Sequence, residues 1–115
     1  MACGRRWVSH LARGTDSLNG QTRAAFINSA VSTCLPRERA APENAGFSED
    51  FLVSFCNCKA SEMANSISYQ EAQEVRSSGG SLTSAVLAKA EAAVETCTKR
   101  LITRCQRVGE ALQCR

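Results

Sequence analysis

The first sixteen residues show no regular spacing of apolar side chains and end in Gly14-Thr15-Asp16, which reads as an irregular arm. From about Gln21 a helical period sets in. Phe26, Ile27, Ala30, Val31 and Cys34 recur at steps of three and four and so share one helical face. Pro36 lacks an amide hydrogen and crowds the carbonyl one turn back, so it is expected to close this first helix. Residues 36–47 contain two prolines, four charged residues and Gly46, and read as a loop.

Ser48, followed by Glu49 and Asp50, has the chemistry of a helix start: a hydroxyl that can cap free amides and carboxylates that suit the positive pole. Phe51, Leu52, Phe55, Cys56, Ala60, Met63 and Ile67 then form an apolar stripe broad enough to face two neighbours, as expected of a central helix. Ser68 and Glu71 have capping-box spacing, and Ile67 and Ala72 occupy the positions of a hydrophobic staple. A short third helix is therefore expected from Ser68 to about Arg76, ended by Ser77-Ser78-Gly79-Gly80. From Leu82 a stripe of Val86, Leu87, Ala90, Val94, Cys97, Leu101, Cys105, Val108 and Leu112 predicts one long last helix. Gly109 would end or fray it, leaving Cys114 on a final turn.

This pattern implies an all-α fold: a small bundle of about four helices, with no sheet, in a single domain over residues 17–115 behind a basic tail at 1–16. Composition agrees, since only 5% of the 115 residues are aromatic and Ala, Glu, Ser and Gln fill the second half. A core of this size buries a modest share of the chain's surface, which gives covalent cross-links weight. The net charge of +3 is unevenly spread. Residues 1–15 carry three arginines and no acid, residues 16–97 six basic and ten acidic side chains, and residues 98–115 five basic and one acidic. The basic C-terminal part has two readings: Lys99, Arg100, Arg104 and Arg107 opposing the negative pole of a helix, or contact with an anionic polymer or membrane surface. The first is preferred.

Seven cysteines stand well above normal usage. Cys56 and Cys58 lie two apart on the expected central helix, so at about 100° per residue their side chains point roughly 200° apart and serve different neighbours. Cys34, at the end of the first helix, and Cys97, in the stripe of the last, are their natural partners, one bond to each. Spacing leaves open which of the pair takes Cys34; Cys34 with Cys58 is the pairing favoured. Cys3, Cys105 and Cys114 stay unassigned.

Phe55-Cys56-Asn57-Cys58-Lys59-Ala60, Ser68-Tyr69-Gln70-Glu71 and Ala92-Ala93-Val94-Glu95-Thr96-Cys97 together resemble small exported bacterial helical proteins with an aromatic-Cys-x-Cys signature, over about residues 24–98. The resemblance implies one cysteine ahead of the pair and one after it, and implies no activity.

Catalytic constellations are not visible. His10 is the only histidine and lies in the tail, and Glu71 with Glu74, or Glu91 with Glu95, read as wet helix faces. No Cys-x-x-Cys turn is present to converge two sulfurs on zinc; Cys97 and Cys105 with Cys56 could in principle form a thiolate site for a soft metal such as copper(I) or zinc. Trp7 beside Arg5 and Arg6 lacks a second aromatic for base stacking, so nucleic acid is not favoured. No cofactor or metal is expected. The expectation is a non-enzymatic binding or structural module of the bacterial envelope or exterior, with a protein or small ligand as partner. The alternative is an intracellular, cytoplasmic thiol or metal-binding protein. Periplasmic or secreted placement follows from the cysteines alone, because Met1–Asn19 has no continuous apolar core of a secretory signal. No stretch approaches the roughly 18 apolar residues of a membrane-spanning helix.

Overall fold

The computed structural model describes residues 17–115, so the basic segment 1–16, with Cys3, Trp7 and His10, lies outside the described residues. Among the described residues there are four α-helices: α1 Gly20–Ala40, α2 Glu49–Ser66, α3 Tyr69–Ser77 and α4 Ser84–Leu101. Short 3-10 turns at Pro42–Asn44 and Ile102–Arg104 follow α1 and α4, and two strands, β1 Cys105–Val108 and β2 Ala111–Cys114, end the chain as a hairpin.

Local chemistry starts three of the helices. Ser48 Oγ accepts the Phe51 amide at 3.1 Å, and Thr83 Oγ1 accepts that of Val86 at 3.2 Å, each satisfying a donor the helix cannot pair internally. At α3 the capping box is complete. Ser68 Oγ accepts the Glu71 amide at 3.1 Å while Glu71 Oε1 accepts the Ser68 amide at 2.9 Å. The same carboxylate receives Lys89 of α4 at 2.6 Å, so one acidic side chain both caps α3 and ties it to α4.

The first helix continues past Pro36 to Ala40, a correction to the expected stop. Proline in a helix interior costs roughly 3 kcal/mol, and tertiary contacts on both sides of it offset that cost. Cys34 is cross-linked to α2 and Leu35 packs against the cluster formed by Phe51, Leu52 and Cys114. Beyond the proline, Asn44 Nδ2 donates to the Glu38 carbonyl at 2.9 Å and its carboxylate at 2.7 Å. Arg39 pairs with Glu49 at the start of α2, its Nε donating to the two carboxylate oxygens at 2.9 and 3.1 Å.

Helix α2 packs against both α1 and α4. One apolar cluster joins Met63, Ala64 and Ile67 to Val86, Ala90 and Ala93 of α4, with Leu18 inserted from ahead of α1. The second gathers Phe51 and Leu52 around Cys114, against Leu35, Phe47 and Leu101. Alanines supply much of the first cluster, and at roughly 25 cal/mol per Å² of apolar surface they contribute little each. Cross-links carry correspondingly more of the stability.

The long last helix and the absence of a sheet both need correction. Helix α4 stops at Leu101, and residues 105–108 pair antiparallel with 111–114 in the register Cys105↔Cys114 to Val108↔Ala111. Gly109 opens the two-residue turn with φ +65°, a conformation that the tight primed hairpin turns need and that side-chain-bearing residues resist.

Candidate functional site

All six cysteines among the described residues are paired. Cys34 bonds Cys56 with Cα atoms 5.8 Å apart, Cys58 bonds Cys97 at 5.9 Å, and Cys105 bonds Cys114 at 4.0 Å. The favoured Cys34–Cys58 pairing is thereby corrected. Cys56 lies among the buried α2 side chains Leu52, Ala60 and Met63, on the side reached by Cys34. Cys58 lies on the side that also carries Glu62, and there Arg100 of α4 reaches both the Cys58 sulfur, at 3.3 Å, and the Glu62 carboxylate, at 3.6 Å. The third bond explains why a continuous helix was the wrong reading. Nine residues of helix would separate Cys105 and Cys114 by about 13.5 Å along the axis, whereas the hairpin sets them opposite one another. A Gly-x pair centred between two equally distant cysteines was the signal available for it.

This hairpin is docked, not free. The Ser48 amide donates to the Cys114 carbonyl at 2.8 Å and the Cys114 amide to the Gly46 carbonyl at 3.2 Å, while Cys114 itself is 1% exposed. Gly46 permits the approach: a Cβ there would collide with the backbone carbonyl of Leu112. Residues 41–47, the latter part of the 36–47 stretch read from sequence as a loop, thus form with Ser48 the seat on which the last strand rests.

An open cleft of about 670 Å³ lies where the docked hairpin meets the start of α2. Ser48 and Asp50 form one wall; Thr103, Arg104, Gln106 and Arg115 form the other. The Arg115 amide donates to the Arg104 carbonyl at 3.1 Å, which carries the ladder one step beyond Cys105↔Cys114 and sets the two arginines opposite each other. Arg104 is held in place, its Nη1 donating to Ser54 Oγ at 2.9 Å and its guanidinium carbon 5.7 Å from the centroid of the Phe51 ring. Neither arginine forms an ion pair among the described residues. Because α4 ends at Leu101, the helix-pole reading covers Lys99 and Arg100 only. These two also have carboxylate partners, Glu95 at 3.0 Å and Glu62 at 3.6 Å, whereas Arg104 and Arg107 lie past the helix.

The other candidates are dispersed. Cys56, Cys97 and Cys105, the set considered for a soft metal, belong to three different disulfides, and among the described residues no group of three or more His, Cys, Asp or Glu is placed to hold a metal ion. Glu71 is engaged by Lys89 and Ser68, while Glu74 accepts a hydrogen bond from Gln70 at 3.3 Å. The Lys89 ammonium, and after it the Ser68 amide, hold the Glu71 carboxyl below the usual range. Among the described residues no helix is long and apolar enough to cross a membrane. The chain matches no protein-family model, no curated protein and no solved structure.

Proposed function

We propose that this chain is a non-enzymatic, disulfide-stapled helical module that works in an oxidising compartment, the bacterial envelope or exterior, by binding a partner protein or a small ligand. The observation that carries the reading is the pairing of all six described cysteines, with α2 bonded separately to α1 and to α4. Cytosolic thiol pools keep cysteines reduced, so a small core held by three such bonds is suited to an oxidising compartment. The resemblance of the Phe55–Ala60 segment to exported bacterial proteins points the same way.

Mass mapping of native protein, alkylated before digestion without reductant, tests the proposal. The expected result is three linked peptide pairs, Cys34–Cys56, Cys58–Cys97 and Cys105–Cys114. Recovery of these six as alkylated thiols from oxidatively untreated protein would overturn it in favour of a cytoplasmic thiol protein.

A further inference from the structure

We infer that the cleft between the start of α2 and the docked hairpin is a binding site for a small ligand bearing a carboxylate or phosphate group, held between Arg104 and Arg115. The inference rests on the reading of this chain as a binding module and names the chemistry that the module takes.

The register is the first support. Arg104 and Arg115 are cross-strand neighbours, joined by the 3.1 Å bond between their backbones, and like charges directly opposite on a ladder are unfavourable. Neither guanidinium has a carboxylate within ion-pair distance among the described residues, and the one acidic side chain lining the cleft, Asp50, stands on the facing wall. An oxyanion between the two would convert the repulsion into two charge-assisted contacts.

Preorganisation is the second support. Ser54 and the Phe51 ring fix the Arg104 guanidinium while using one of its nitrogens, Nη1, as a donor. Donors remain in the planar fork that matches carboxylate and phosphate oxygens in pairs. Gln106 of β1 also lines the cleft and adds a neutral donor there. Asp50 on the facing wall disfavours extended polyanions and leaves an acceptor for a donor group at the ligand's other end.

Chemical-shift titration of the oxidised full chain with inorganic phosphate, and separately with succinate, tests this. Saturable shifts at the amides of Ser48, Thr103, Gln106 and Arg115 are expected for at least one probe. Phosphate alone would identify a phosphate-bearing ligand, succinate alone a carboxylate, and both a general oxyanion site. Arg115→Gln, which leaves the Phe51–Arg104 contact in place, should weaken binding by roughly tenfold or more, the scale of a lost charge-assisted hydrogen bond. Arg107→Gln removes an equal charge three residues along the chain from Arg104, on the face of β1 opposite Gln106, and should leave affinity within about twofold. Absence of saturable shifts through the millimolar range with both probes would overturn the inference. So would equal weakening by Arg115→Gln and Arg107→Gln, which is the signature of unspecific charge. With disulfide mapping intact, either result would sink this cleft and leave the stapled module standing.

Discussion

Removing the bond between α2 and α4, with Cys58→Ala and Cys97→Ala together, should destabilise this protein more than removing either of the others. The Cys58–Cys97 bond spans 39 residues, Cys34–Cys56 spans 22 and Cys105–Cys114 spans 9. Freedom regained by the unfolded chain grows with the logarithm of the loop released, which gives about 3.9, 3.4 and 2.6 kcal/mol respectively. Burial adds a comparable cost to all three, because each bond has one almost fully buried sulfur, Cys97 and Cys56 at 0% and Cys114 at 1% exposure, so the order rests on loop length. A loss of about 4 kcal/mol corresponds to a fall in Tm of roughly 15–25 °C for a chain of this size. Urea unfolding of the three paired-alanine variants, followed by far-UV circular dichroism without reductant, measures the series directly. If the Cys58/Cys97 variant lies within about 1 kcal/mol of wild type, or is more stable than the Cys105/Cys114 variant, then loop closure does not govern this fold and the α2–α4 contact is stronger than its alanines suggest.

Gly46→Ala should cost about 1–3 kcal/mol through collision with Leu112 and should free the hairpin; faster hydrogen exchange at the Ser48 and Cys114 amides, with helix content unchanged, is the expected reading. Ile67→Ala removes a side chain that is 1% exposed and packed between α2, α3 and α4, so a loss of about 2–5 kcal/mol in chemical unfolding is expected. Acid should loosen α3 first. The folded Glu71 pKa is depressed below its ordinary value of 4.5, chiefly by Lys89, so its stabilising contribution is complete above that value and is lost as pH falls through the depressed one. The protection factor of the Ser68 amide, its exchange relative to the intrinsic rate at each pH, should fall as pH drops through that window, and in Glu71→Gln it should stay level there.

Helix starts were legible in the sequence because caps act within three residues: Ser48, the Ser68–Glu71 box and the Ser77–Gly80 break all lie where the local pattern puts them. The opposed directions of Cys56 and Cys58 were legible too, since helix geometry alone separates them. Partner choice was not. Whether Cys34 meets Cys56 or Cys58 depends on which flank of α2 receives α1, a question of packing between segments far apart in sequence.

The stretch from Leu101 to Arg115 shows the limit most clearly. Leu101, Cys105, Val108 and Leu112 fit a helical stripe, and the same residues fit two short strands around Gly109, so spacing alone favours the longer and more local structure. Pro36 errs in the opposite direction, as a local stop overridden by the contacts of Leu35, Glu38 and Arg39. Sequence by itself determined the helical character, the helix starts at Ser48 and Ser68 and the opposed directions of Cys56 and Cys58. Tertiary structure decided the cysteine pairing, the hairpin and the cleft that places Arg104 opposite Arg115. The physical reason is range: caps and helical periodicity act over a few residues, whereas disulfide bonding and strand docking are settled by whatever distant surface the folded chain brings within reach.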